Sequence, residues 1–339
     1  MMTPAQRANW LEWRSRGLGA SDVGTVLGLT SWGSPTALWR AKRHELGLGD
    51  GPAPEPMEVS DRMSWGRHSE SALADFAAER YGWTLDECEP AVHPEHDWAR
   101  ATPDRCILDA EGWPETLVEL KVVHERAPWG PSGPADDENV PPYIVVQVQW
   151  QLFCTGLRKG WIVAMVAGDL RRYEVTRDDA LLAAVFRKCS AFWSCVLSGE
   201  LPEDSTDRAS AEYQRMWPLA EALEGPMPLL DTPEAVLAEF EDVKAQIKSL
   251  EGRSTELRNR LLADLKTRTK ARAGKFVATT YDVAGRSYLA KDELLAAYPD
   301  MTCFLREGKP VRHLRVRLLK EGEEPNQGNG TETTTETEE

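Results

Sequence analysis

A chain of 339 residues with 41% hydrophobic and 28% charged content is long enough to bury a sizeable core and has the balance of a globular protein. Its net charge of −15 at pH 7 argues against a generally basic nucleic-acid binder, while leaving room for a local basic groove. No apolar run approaches the roughly 20 residues of a membrane span, and MMTPAQRANW lacks the apolar core of a signal peptide, so a cytoplasmic protein is expected.

Residues 5 to 46 open with a predicted helix. Gly17 and Gly19 then break the pattern, and Ser21 is the expected N-cap of a short helix from Asp22 to Leu27. Ser34-Pro35 marks another helix start. Arg14 and Arg16 lead into the Gly-rich turn and the helix terminus behind it. Backbone N–H groups there, with an arginine nearby, suit a phosphate; ordinary capping beside a solvated arginine explains the same residues equally well.

After a Pro/Gly loop at residues 48 to 60, MSWGRHSESALADFAAERYG reads as a helix. Leu73, Ala74 and Ala77 stand at helical spacing from Glu70, so Glu70 lies on the apolar stripe and needs a partner. That partner is either an arginine or a metal-binding site shared with other carboxylates.

Thr116 to Val123 is β-branched and aliphatic and reads as a strand. Strand alternation puts Glu119 and Lys121 on one face and Val118, Leu120 and Val122 on the other. Ile107-Leu108-Asp109, before a turn at Glu111-Gly112, forms the other arm of a hairpin. This arm brings Asp104 back towards Glu119. The pair Glu119 and Lys121 is either a surface ion pair or, with Asp104, a site for a hard divalent cation and an activated water.

The loop from His124 to Asn139 is long, acidic and Pro/Gly-rich. VPPYIVVQVQWQLFCTG reads as a helix started by Pro141 and Pro142 and ended by Gly156. Gln147 and Gln151 lie on one face of it, placed to orient a water or phosphate oxygen or to serve as structural hydrogen-bonders. Trp161–Val166 reads as a buried strand with Arg171–Val175 beside it, and Asp178–Leu197 as an amphipathic helix. Residues 201–231 read as a linker with a short helix. None of the six cysteines forms a C-x-x-C pair, so zinc-ribbon and iron–sulfur sites are unsupported and buried, reduced thiols are expected.

A long helix is expected from the cap Thr232. Val236, Phe240, Val243, Ile247 and Leu250 alternate by four and three, and Leu257 and Leu261 resume the phase beyond Gly252 and Ser254. This is the pattern of a coiled coil or a helical hairpin. Phe276–Tyr281 reads as a strand, Lys291–Tyr298 as a helix and His313–Leu319 as a strand. On the last strand His313, Arg315 and Arg317 share a face that suits either a nucleic-acid backbone or solvent. The acidic tail, residues 321–339, is expected to be disordered.

WGRHSE (65–70), TPD (102–104), ELK (119–121) and QVQ (147–149), preceded by WLEWRSRGLGASDV (10–23), together resemble the YqaJ-like viral recombinase (lambda exonuclease) family of PD-(D/E)xK nucleases. Five motifs in the family's order over roughly residues 10 to 165 make a specific signal.

The resemblance implies an α/β (α+β) restriction-endonuclease-like core at 1–200, a central mixed sheet flanked by helices. The helical and small β-α-β extension at 232–320, read from the residues themselves, departs from the family pattern. It implies Mg²⁺-dependent 5′-to-3′ digestion of double-stranded DNA from free ends, with Mn²⁺ able to substitute. Asp104, Glu119 and the Leu120 carbonyl would ligate metal, and Glu70 a second metal or a metal-bound water. Lys121 would position or deprotonate the attacking water, Gln147 would orient it, and Arg14 and Ser21 would hold the 5′-phosphate. It also implies a homo-oligomer, a trimer in some members, and work beside a single-strand annealing protein. Arg105 stands after Asp104 where the family's best-known member has Gly. An endonuclease or single-strand exonuclease on the same core, and a non-catalytic DNA-end-binding protein, are the alternative readings.

Overall fold

The computed structural model describes residues 4–49, 54, 59–124, 129–136, 138–217, 230, 232–280, 291–298 and 300. The chain divides into two units, Met1–Met216 and Trp217–Glu339.

The first unit begins with α1 (Pro4–Ser15), α2 (Ala20–Val26), α3 (Pro35–Glu45) and α4 (Asp61–Tyr81). The start of α2 differs from expectation. Gly19, not Ser21, is the N-cap, and its N–H donates to Asp22 Oδ2 at 3.0 Å. Asp22, at the third helical position, satisfies the terminus from inside, so Ser21 is free to bond elsewhere. Ser34 caps α3 as expected, its Oγ accepting the Ala37 N–H at 3.2 Å ahead of Pro35.

Next come β1 (Leu85–Asp86), β2 (Ala91–His93), β3 (His96–Ala101), β4 (Arg105–Leu108), β5 (Pro114–Val123) and β6 (Gly133–Pro134). α5 (Pro142–Thr155), β7 (Lys159–Val166), β8 (Asp169–Thr176), α6 (Asp179–Ser198) and α7 (Ala209–Met216) complete the unit.

Six strands form one sheet in the order β1-β4-β5-β7-β8-β6, with β2 and β3 a separate hairpin. The sheet is mixed: β5 runs parallel to β7 across the α5 crossover, and β4–β5 and β7–β8 are antiparallel. The expected β4–β5 hairpin forms, closed by Asp109 Oδ1, which accepts the Glu111 and Trp113 N–H groups at 3.0 and 2.8 Å.

Alternation along β5 divides the core into two layers. Leu117 packs with Val148, Leu152 and Ile162 under α5. Val118 and Leu120 pack with Leu73, Ala74 and Ala77 of α4 on the other face. A third cluster joins α2, α3 and α6 to the outer side of α5 through Trp39, Val146, Trp150, Cys189 and Phe192. Among the described residues α6 is long and apolar enough to span a membrane by length and composition, but Leu182, Val185, Cys189, Phe192, Trp193 and Val196 of its apolar face are buried. Cys106, Cys154 and Cys189 are buried, and these three, with the half-buried Cys88 and Cys195, are free thiols.

One further contact ties the N-terminal segment to the body. The Leu18 N–H donates to Trp98 O at 2.7 Å, and the Arg100 N–H to Leu18 O at 3.0 Å, so residues 17–19 run beside β3. A Cβ at Gly17 would fall 2.1 Å from Trp98 O, which only glycine avoids.

In the second unit, α8 (Glu234–Leu265) is a single unbroken helix that passes through Gly252 and Ser254, so the hairpin alternative is overturned. Its N-cap is Pro233 rather than Thr232. Val236, Phe240, Val243, Ile247, Leu250, Leu257 and Leu261 are all exposed. β9 (Lys270–Ala273) pairs antiparallel with β10 (Phe276–Thr279), giving the expected strand a partner, and α9 (Lys291–Ala297) follows. The expected strand at 313–319 and the tail at 321–339 lie outside the described residues.

Candidate active site

Glu119 and Lys121 leave β5 on the α5 side of the sheet. Glu119 is only 2% exposed, and both of its carboxylate oxygens are engaged. Gln147 Nε2 donates to Oε1 at 2.6 Å, Gln151 Nε2 donates to Oε2 at 2.7 Å, and Lys121 Nζ forms an ion pair with Oε1. The two glutamines stand four residues apart on α5, which stacks their side chains one helical turn apart over the strand. A buried carboxylate requires such donors, and here three side chains supply them.

Asp104 sits in the turn between β3 and β4. The β4–β5 ladder ends at the pair Arg105–Val118, and Asp104 takes over from it, its Oδ2 accepting the Leu120 N–H at 2.8 Å. Burial pushes the Asp104 carboxyl up to about 8, with the Glu119 charge as the second cause; Lys121 and the Leu120 N–H oppose this only in part. For Lys121 burial acts to lower the pKa, but the Glu119 and Asp104 charges outweigh it and hold the ammonium above its ordinary value. Lys121 is therefore a cation here, not a free base.

Glu70 approaches from the opposite face. Arg105 pairs across the ladder with Val118, whose side chain lies on the α4 side. Its Nη1 donates to Glu70 Oε1 at 3.0 Å and also to the Asp104 carbonyl. The residue that departs from the family pattern thus holds the third carboxylate. Glu70 nonetheless belongs to the same electrostatic group, since its charge adds to the upward shift of Asp104.

Among the described residues no three His, Cys, Asp or Glu side chains form a ready metal cage. The donors still suit a hard divalent ion. Asp104 and Glu119 would supply oxygen ligands, and the Leu120 carbonyl lies between Glu119 and Lys121 in the chain. The Glu119 charge pushes the Asp104 carboxyl up, and a divalent charge between the two would relieve it.

A second cluster gathers at the N-terminus of α2. Arg14 Nη2, from the last turn of α1, donates to Ser21 Oγ at 2.8 Å and to Asp22 Oδ1 at 3.2 Å. Lys42 Nζ, from α3, approaches Asp22 Oδ2 at 3.3 Å and Glu45 Oε2 at 3.4 Å, and Lys42 is only 3% exposed. Burial alone would raise the Asp22 carboxyl. The Lys42 and Arg14 charges and the Gly19 N–H outweigh it and hold the carboxyl below its ordinary value. Tyr143 of α5 lies between the two clusters. It packs where a Cβ on Gly24 of α2 would fall, meets Trp32 edge-on at 4.9 Å, and acts electrostatically on Lys121.

Gln151, Asp22, Lys42 and Tyr143 were not among the residues singled out as the site. Gln151 had a signal, its four-residue spacing from Gln147. Lys42 had none, because nothing in KRHE marks a lysine that turns inward.

The mixed sheet carries the carboxylate–lysine cluster on one of its middle strands, β5, and the arginine–serine cluster stands at the N-terminus of α2. Residues 9–158 match the model of the YqaJ-like viral recombinase domain. The chain is 26% identical over 326 residues to "Uncharacterized protein YqaJ" of Bacillus subtilis (strain 168), covering 93% of this chain and 94% of that one. The crystal structure of an alkaline exonuclease from Laribacter hongkongensis is similar at 18% identity and a TM-score of 0.44, over 62% of this chain and 99% of that one. A phage-related exonuclease from Haemophilus somnus 129PT is similar at 12% identity and a TM-score of 0.40, over 53% and 93%.

Proposed function

We propose that the protein is a Mg²⁺-dependent exonuclease that digests double-stranded DNA from free ends in the 5′-to-3′ direction, in phage or prophage recombination. The observation that carries this reading is the convergence of Asp104, Glu119, Lys121 and Gln147 at the end of the β4–β5 ladder. Asp104, Glu119 and the Leu120 carbonyl would hold Mg²⁺, and Glu70 would serve a second ion or its water. The bound ion would supply charge neutralisation at the phosphate and a more acidic water.

The chain's own residues do the rest. Lys121, kept charged by its carboxylate neighbours, orients the attacking water and stabilises charge developing on the phosphate. Gln147 fixes the Glu119 carboxylate and directs the water. Arg14 and Ser21 receive the 5′-phosphate at the start of α2, while Lys42 holds Asp22 and so keeps Arg14 in place. Such an enzyme works in the host cytoplasm beside a single-strand annealing protein, with more than one copy of the chain around the DNA.

The test is digestion of linear duplex carrying 5′-phosphate or 5′-hydroxyl ends, with a closed circle as control. Loss of the linear DNA with Mg²⁺ or Mn²⁺, faster from phosphate ends and absent with the circle, is expected. Cutting of the circle would discard end recognition and favour an endonuclease. Undiminished digestion by Asp104→Ala/Glu119→Ala would overturn the site itself.

A further inference from the structure

The 32 residues of α8 span about 48 Å at the α-helical rise. The apolar stripe from Val236 to Leu261 is open along its length, from 41% exposure at Phe240 to 69% at Leu250. Its four-three spacing is unbroken, with Ser254 holding the one polar position of the seam. That repeat is the seam of a left-handed two-stranded coiled coil, in which flanking charges set partner and direction.

The flanking residues decide the direction. Those just before the first seam position of each repeat are Glu239, Gln246, Arg253 and Arg260; those just after the second are Lys244, Glu251 and Arg258. Two parallel copies would set Arg253 against the partner's Arg258 twice over, cancelling the attraction of Glu239 for the partner's Lys244. Two antiparallel copies centred between Ile247 and Leu250 set Glu239 against the partner's Arg260 and Lys244 against the partner's Glu251. No like charges then face each other. Seam residues also match in this register: Ile247 meets the partner's Leu250, Phe240 meets the partner's Leu257, and Ser254 meets the partner's Val243 rather than a second serine. Antiparallel helices oppose their dipoles as well.

We infer that α8 is a self-recognition element that joins two copies of this chain as an antiparallel coiled coil. The occupant is a second copy because one helix supplies both halves of a complementary charge pattern, as a two-fold interface requires. Within the single chain Lys244 rests on Glu241 at 3.2 Å, an exposed contact that the pairing exchanges for the partner's Glu251 at little cost. The inference stands apart from the nuclease reading, because its readout is mass and not activity.

Sedimentation equilibrium on the full chain and on Ile247→Lys/Leu250→Lys tests it, with circular dichroism to confirm that the variant is folded. The variant's mass is expected to be half that of the unchanged chain. Equal masses together with no cross-link from Val236→Cys/Leu261→Cys would overturn the pairing. Direction is read with a short bismaleimide, using the unmodified chain as the control for native thiols. Val236→Cys and Leu261→Cys are each expected to give no new cross-link, while Val236→Cys/Leu261→Cys in one chain gives a linked dimer. A dimer from Val236→Cys alone would overturn the antiparallel arrangement.

Discussion

Arg105 donates from Nη1 to Glu70 Oε1 at 3.0 Å, so the carboxylate on α4 is held by the residue that follows Asp104. The guanidinium adds a positive charge beside the site proposed to bind a cation. Arg105→Gly is expected to lower the Mg²⁺ concentration for half-maximal activity by roughly 3- to 10-fold, the effect of one nearby charge at an effective dielectric of about 20 with partial screening. A Mg²⁺ titration of cleavage checks it. An unchanged or raised requirement would show that Arg105 serves the site instead of competing with the metal.

On the proposed reading, Lys121 and a metal ion compete for Glu119. In Lys121→Met the buried carboxylate keeps its glutamines but loses its counter-charge. The metal-free variant is expected to melt below the wild type, and saturating Mg²⁺ is expected to raise its Tm by more than it raises the wild type's, because binding no longer displaces an ammonium. Thermal melts with and without Mg²⁺ measure both differences. Equal increments would mean that lysine and metal do not share the carboxylate.

The Gln151 amide donates to Glu119 Oε2 at 2.7 Å, inside the core. Gln151→Leu is expected to cost roughly 1–3 kcal/mol by leaving a buried acceptor unpaired. The loss is reduced because Gln151 Oε1 is itself buried without a hydrogen-bond partner. Turnover is expected to fall about tenfold, as for residues that orient a metal ligand. Urea unfolding and cleavage rates report the two effects, and a variant with normal turnover would reduce Gln151 to packing.

The Asp22 carboxyl is held below its ordinary range when folded, against about 3.9 in an unfolded chain. Its contribution is therefore complete above about pH 4 and is lost as the pH falls through the lower folded value. At neutral pH Asp22→Asn leaves the buried Lys42 with the half-exposed Glu45 in place of its buried counter-charge and is expected to cost up to about 3 kcal/mol. Acid titration of both proteins should show the gap closing below about pH 4. A constant gap would locate the effect in packing and not in charge.

Much of this site was legible in the sequence because strand chemistry is local. Alternation along Thr116–Val123 puts Glu119 beside Lys121, and a tight hairpin returns Asp104 to the same place; both follow from near neighbours. Gln147 followed from helical spacing. Other relationships were not legible. Whether Glu70 meets arginine or metal depends on which face Arg105 takes, and the hairpin register decides that. Lys42 joins Asp22 only after α3 folds back on α2. The cap of α2 was misplaced because an aspartate inside the helix does the work usually given to the residue before it. In α8, Gly252 and Ser254 suggested a break, but good helix formers on both sides carry the helix through.

The stitch between Leu18 and Trp98 bears on the order of events during synthesis. The segment of Arg14 and Ser21 leaves the ribosome well before the strand against which it lies. The local bonds of Arg14 to Ser21 and Asp22 can form at once, but the segment's place on the body waits until β3 has emerged and joined the core. The cluster read here as the grip on DNA is thus made before the strand that anchors it.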